Sequence, residues 1–470
     1  MNAFEQVAFD VLCSIRSLKN GLAPINLIPP EVLALVPDFW DRDTRDQDVI
    51  TLTHTCRTWR EIFISRASLW TDFDCEDTDK TRVYLERSKT SPISVSLERV
   101  EGLSPRDPFL ELVPDAIGHF KSLTIGVPPE NLQDFTDHLF SPAPLLETFK
   151  IEIKCEPGLQ HHPLITPALF DGDFSSLRVL CLRCVRTELP WRNMANLTSF
   201  ILDNMPPGEV SVGQFLDFFE SAPRLREIQL ISATPTSGAQ DGRLVSLACL
   251  TKLSILGGRP PPLLDHLLIP VGATLTTQVE SPHSRIEDHL PQSLDNLKNL
   301  PGFTHLFLTS NKQCFLVAFA GPNGNVVTIS IGSEVDTIDT ILESFARLDT
   351  STAKQLEISC SSSPPEDLLH RALIPMTNLS TVTISGRTDI VPFVCALNPD
   401  VYSPNTLICP RLEDLVLSID GYDVEYIEEM VAARALRGAK LKSITVANMT
   451  NCSPEDMAEL GEHVLHVEYL

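Results

Sequence analysis

Leu177-Arg178-Val179-Leu180-Cys181-Leu182 sets apolar side chains at the first, fourth and sixth places of a hexapeptide, and that spacing returns along the chain. Further clear copies begin at Phe120, Leu146, Leu197, Leu225, Leu250, Phe303, Leu379, Leu412 and Leu441, with weaker ones at Val326 and Ala353. One degenerate unit near Leu275 fills the widest gap, and the mean step is then about 27 residues, inside the roughly 20 to 29 residues of one class of strand-bearing repeats. Alternation at the end of each copy predicts a strand with one face buried, and units of this size bury that face on their neighbours. Between copies, the stretches 212–223 and 339–348 are helix-like. The run from Gln313 to Ile331 predicts a hairpin, because two apolar runs flank Gly321-Pro322-Asn323-Gly324.

Upstream of the repeats the pattern changes. From Ile25 to Trp70 short apolar runs are broken by prolines and by the charged stretch Asp41 to Asp48. Pro29 and Pro30 suit a first helical turn, where a missing amide proton costs nothing, and Glu31 complements the helix dipole. Pro37 should end or kink this helix. A second helix is predicted to carry Val49, Leu52, Cys56, Trp59 and Phe63 on one face. Two helices in about 45 residues bury little alone and need cover from elsewhere.

Ile28-Pro29-Pro30-Glu31, Cys56-Arg57-Thr58-Trp59 and Leu69-Trp70 stand in the order and spacing of the F-box, so the segment resembles that family. Ile28 replaces the usual leucine, and the connection Asp41 to Asp48 is longer than the family pattern. The stretch from Thr71 to Glu98, with Tyr84-Leu85-Glu86-Arg87-Ser88 before a Ser-Pro turn, looks like basidiomycete F-box relatives. Residues 115–470 resemble leucine-rich repeats, with a departure. Where that family places Asn or Cys after the last apolar position, this chain has Val185, Met205, Ala233, Gly258, Asp420 and Met449, so uneven curvature and irregular turn ladders are expected.

The fold class expected is α/β: a small all-helical F-box module followed by a leucine-rich-repeat solenoid with a strand plus a helix per unit. The domains would be an N-terminal amphipathic helix over 1–22, the F-box over 25–75, a connecting helix and strand over 76–114, and the repeats over 115–470. The first helix carries Phe4, Val7, Ala8, Val11, Leu12, Ile15 and Leu18 on one face, and is expected to cover an end of the core.

The resemblance implies a non-enzymatic substrate-recognition subunit of an SCF-type ubiquitin ligase in ubiquitin-dependent protein degradation. A Skp-type adaptor, and through it a cullin and a RING subunit, would be the partners. Pro29, Pro30, Leu33, Leu52 and Trp59 would then meet the adaptor, with Pro29, Leu33 and Leu52 left uncovered by the chain itself; Trp59 and Trp70 could equally serve the module's own core. A protein substrate would lie on the outward strand face, where Lys150, Arg183, Glu227, Lys252, His305 and Phe307 are the candidates, Phe307 as the aromatic anchor. The alternative is an F-box scaffold or sensor acting outside ubiquitin transfer.

Composition and motifs narrow the partners. The net charge of −25, from 62 acidic and 37 basic residues, opposes nucleic-acid binding. No apolar run reaches the ~20 residues of a membrane-spanning helix, and the first twenty residues lack a secretory pattern, so cytoplasm or nucleus is expected. Twelve cysteines are spread singly, mostly as buried thiols; Cys181 and Cys184 form a CxxC whose residues point to opposite sides of a strand. His161-His162 has no acidic or cysteine companion, and no nucleotide loop, zinc spacing or nucleophile motif is present. No cofactor and no metal are expected.

Overall fold

The computed structural model describes residues 3–40, 45–75, 77–98, 108–153, 162–206, 210–233, 235, 242–257, 261–279, 286–310, 314–332, 342–343, 345, 348–361, 363–386, 389–402, 407–419, 424–447 and 454–469. The fold is mixed α/β with mostly parallel strands, divided into two compact units, Met1–Leu197 and Thr198–Leu470.

The first unit opens with α1 (Ala3–Gly21), a turn of 3-10 helix (Pro24–Leu27) and the single turn α2 (Pro30–Leu33). Pro30 stands in the first helical turn as predicted, and a further 3-10 turn (Val36–Phe39) carries Pro37 at its start. The predicted second helix is two: α3 (Arg45–Thr53) and α4 (Arg57–Ser65). Cys56 between them is extended, at φ −155° and ψ 173°. The polar, partly β-branched run Thr53 to Cys56 does not sustain the helix, and Arg60 Nε, 2.9 Å from Thr53 O, takes over one freed carbonyl. Val49 and Phe63 remain on the buried side in spite of the break.

Five parallel strands follow: β1 (Asp72–Asp74), β2 (Ile93–Glu98), β3 (Phe120–Gly126), β4 (Thr148–Glu152) and β5 (Val179–Arg183), each paired with the next. The ladder thus begins at Asp72, inside the stretch assigned by sequence to a helical module and a connection. Helix α5 (Thr78–Ser88) starts on Asp77, whose side chain accepts from the amides of Asp79 and Lys80. Behind the strands, Phe149, Phe170, Phe174 and Trp191 form an aromatic column with ring centroids 4.9 to 6.0 Å apart.

In the second unit β6 (Ser199–Asp203), β7 (Glu227–Ile231), β8 (Lys252–Leu256) and β9 (Thr274–Val279) pair parallel in order. The hairpin read around Gly321 to Gly324 is present, and it rearranges the order. β10 (His305–Ser310) lies three places beyond β9; β11 (Cys314–Ala320) returns antiparallel and β12 (Val326–Gly332) fills the place beside β9. The ladder then resumes parallel from β10 through β13 (Gln355–Cys360), β14 (Thr381–Gly386), β15 (Asp414–Ile419), β16 (Ser443–Ala447) and β17 (His466–Tyr469).

Every hexapeptide copy is therefore a strand. Helices are less regular. One follows each strand from β13 to β16: α6 (Glu366–Leu373), α7 (Val391–Leu397), α8 (Val424–Leu436) and α9 (Pro454–His463). Val212–Ser221 is also helical, capped by the Ser211/Gln214 box. Between β8 and β10 the helices among the described residues are short turns such as Pro261–Leu264 and Ile286–His289. Most of the helix-like stretch 339–348 lies outside the described residues.

The ladder's edge is more regular than the missing Asn and Cys led us to expect. Just before the strands, backbone amides bond to the preceding unit, as in Arg178 N to Glu147 O and Ser380 N to Lys354 O, both 2.8 Å. Side-chain amides join them: Asn196 bonds Ser175 O at 2.7 Å, Asn299 bonds Ala273 O at 2.8 Å and Asn378 bonds Ser351 O at 2.8 Å. At the other strand end Val185, Met205 and Ala233 are buried apolar fillers instead; Gly258, Asp420 and Met449 lie outside the described residues. Gly386, at φ +111°, is required by space as well, since a Cβ there would stand 2.3 Å from Cys360 O.

Candidate docking and recognition surfaces

The expected adaptor-binding residues divide. Leu33 is 2% exposed and Leu52 8%, so the chain itself encloses them. Pro29 and Pro30 are exposed, and Trp59 is half-buried with its indole Nε1 donating to Asn26 Oδ1 at 2.5 Å. Trp70 is wholly buried: its Nε1 donates to Phe63 O at 2.9 Å, Tyr84 packs edge-on at 4.9 Å, and the Arg87 guanidinium covers the ring at 4.3 Å. Of the two tryptophans, Trp70 belongs to the core.

Side chains beside the predicted ones are exposed in their place. Val32 is 52% exposed, Leu35 48%, Val36 38%, Phe39 87% and Leu27 71%. Two polar ties hold these turns on α4: the Asn26–Trp59 bond and Arg66 Nη2 to Asp38 Oδ2 at 2.6 Å. With Leu33 and Pro37 turned inward, their neighbours in sequence must face out. The result is a run of exposed apolar side chains on these tied-down turns, and exposed apolar surface of this kind marks partner contact.

The candidate recognition residues all stand on strands with outward positions. In the first unit, Lys150 is level with Thr124 and Cys181, while Arg183 is level with Glu152, one outward position further on. In the second, Glu227 and Lys252 are opposite charges directly across adjacent strands. They are separated from His305 and Phe307 by β9, β12 and β11. His305 and Phe307 stack with centroids 6.3 Å apart and planes 9° from parallel. Phe307 is level with Ala318 on one side and Glu357 on the other.

What sequence reasoning missed is the character of the row around Phe307. Gln229, Ser254, Thr276, Thr328 and Ala318 follow one another across the strands to it, all small or uncharged. Strand alternation was enough to find this floor, had the register across the reversed β11 been known.

Other polar groups are interior fasteners. Arg434 is wholly buried and donates to the carbonyls of Leu397, Ile408 and Cys409 at 3.4, 2.9 and 2.8 Å; burial lowers its pKa. Burial also pushes the Cys409 thiol up to about 12 and His289 down to about 4. Cys184 is disulfide-bonded and Cys181 is not its partner, so the CxxC is not a disulfide pair. His162 Nδ1 lies 3.1 Å from Cys184 O; His161 lies outside the described residues. Among the described residues no cluster of three His, Cys, Asp or Glu could hold a metal, and no helix is long and apolar enough to cross a membrane. No family model matches the chain, and no curated protein is significantly similar to it.

Proposed function

We propose that the chain is the substrate-recognition subunit of an SCF-type ubiquitin ligase, with an F-box over 25–75 docking on a Skp-type adaptor and an irregular leucine-rich-repeat array holding the substrate. The observation that carries this is the uncovered apolar patch of Leu27, Val32, Leu35, Val36 and Phe39, beside exposed Pro29 and Pro30. It lies on the proline-led turns whose sequence resembles the F-box, whereas Leu33 and Leu52 are enclosed by the chain itself. A strand at every hexapeptide copy supports the repeat half of the proposal.

The work done is positional. An adaptor held by the N-terminal turns and a substrate held on the strand face raise the effective concentration of substrate lysines near the transferred ubiquitin. No group of this chain needs to make or break a bond.

The experiment is capture of the full chain with blotting for adaptor and cullin, repeated for Val32→Ala/Leu35→Ala/Phe39→Ala. The native chain should recover both and the variant neither. Adaptor without cullin would favour a scaffold or sensor; recovery of neither by the native chain contradicts the docking proposal.

A further inference from the structure

Helix α1 does not cover a core. Its apolar stripe is open along its length, with Phe4 81% exposed, Val7 61%, Val11 52%, Leu12 52%, Ile15 57% and Leu18 72%, and Leu22 beyond it 81%. The spacing of this stripe is more particular than amphipathicity requires. Phe4, Ala8, Val11, Ile15, Leu18 and Leu22 succeed one another at steps of four, three, four, three and four, the seam of a two-stranded coiled coil. Val7 and Leu12 flank it.

Its charges single out an occupant. The chain carries −25, yet α1 holds two acidic residues, Glu5 and Asp10, and two basic ones, Arg16 and Lys19. A neutral helix gives no electrostatic attraction to anionic membranes, which bind basic faces, and two copies of the helix set no net charge against each other. We propose that α1 pairs antiparallel with α1 of a second copy of this chain.

The antiparallel register follows from the numbers. Seam residues meet in pairs: Phe4 with Leu22, Ala8 with Leu18, Val11 with Ile15, each from opposite copies. On one flank Glu5 then faces Lys19 of the other copy, twice by symmetry, and Leu12 meets Leu12 at the two-fold axis. On the other flank Ser14 meets Ser14, and Val7 faces Gly21. A parallel pair would instead set Lys19 against Ser14 and lose the Glu5–Lys19 attraction. The same surface serves both copies, as a two-fold interface demands. A helix of 19 residues gives fewer than three heptads, so the association is reversible and concentration-dependent.

Sedimentation equilibrium of the full chain over a range of concentrations tests this. The native chain should show a monomer–dimer equilibrium, and Val11→Glu/Ile15→Glu should remain monomeric throughout. Ala8→Leu, which enlarges the seam where it meets Leu18, should tighten the dimer and does not depend on disrupting α1. Glu5→Lys and Lys19→Glu should each weaken it roughly fivefold, since each creates two like-charge pairs, and the double exchange should restore it. A monomeric native chain, a dimer indifferent to Val11→Glu/Ile15→Glu, or single exchanges without effect would each overturn the proposal. The Val32–Phe39 patch is left intact in all these variants, so adaptor capture and self-association fail or succeed separately.

Discussion

Residues 3–39 and the strands of the second unit have comparable supplies of large apolar side chains and use them in opposite ways. Fourteen of the twenty-five large hydrophobic side chains that stand exposed among the described residues fall between Phe4 and Phe39. In β6 to β16 the described inward positions, from Phe200 and Leu202 to Ile444 and Val446, are almost completely enclosed. The difference lies in what each element has beside it. A strand in a ladder has a neighbour on each side and a layer behind, whereas a one-turn helix such as α2 can cover one side chain and must expose the next. Large uncovered patches on an otherwise well-buried chain mark contact surfaces.

The comparison breaks first if buried and exposed positions of the N-terminal turns respond alike to truncation. Trp70→Ala and Leu33→Ala should each destabilise the first unit by about 3 kcal/mol or more, through lost burial and the cavity left behind. Val32→Ala and Phe39→Ala should change stability by under about 0.5 kcal/mol. Chemical denaturation followed by tryptophan fluorescence separates the two classes, and equal losses would remove the distinction.

The second unit should show a pH dependence set by one buried histidine. His289 is buried and neutral when folded, with its pKa lowered from 6.5 to about 4. Between those values the unfolded state binds the extra proton, so stability is full above pH 6.5 and falls as pH drops towards 4. The total loss is on the order of 3 kcal/mol. Hydrogen exchange in β9 and its neighbours, native against His289→Gln, reads this, and an unchanged slope in the variant would sink the assignment.

A smaller effect sharpens the account of the ladder. Asn378→Ala removes the side-chain bond to Ser351 O and should cost about 1 kcal/mol, seen as faster exchange at the start of β14. Lys252→Ala, on the outward face, should leave stability within about 0.5 kcal/mol of native. A large loss there would mean that the outward row is structural rather than available for recognition.

The strands were legible because period-two alternation in Leu177 to Leu182 and its copies has one interpretation once one face must be buried. The hairpin was legible from Gly321 to Gly324. The exchange of strand order around β11 was not, since pairing between distant strands leaves no local mark. The break at Cys56 was hidden because Val49, Leu52, Trp59 and Phe63 keep helical spacing across it. That Leu33 turns inward was hidden for a related reason: a single turn has too few residues to set a phase, and the turns are tied down by the Asn26–Trp59 and Arg66–Asp38 bonds. The edge ladder was sought after the strands, where apolar fillers stand, and lies before them.

Binding of a purified Skp-type adaptor to the full chain, measured by calorimetry for the native protein and for Val32→Glu/Phe39→Glu, bears most directly on the central claim. The account predicts stoichiometric binding by the native chain and a loss of at least about a hundredfold in the variant, with an unchanged denaturation midpoint. Native and variant chains that bind equally well, or a native chain that does not bind, would contradict it.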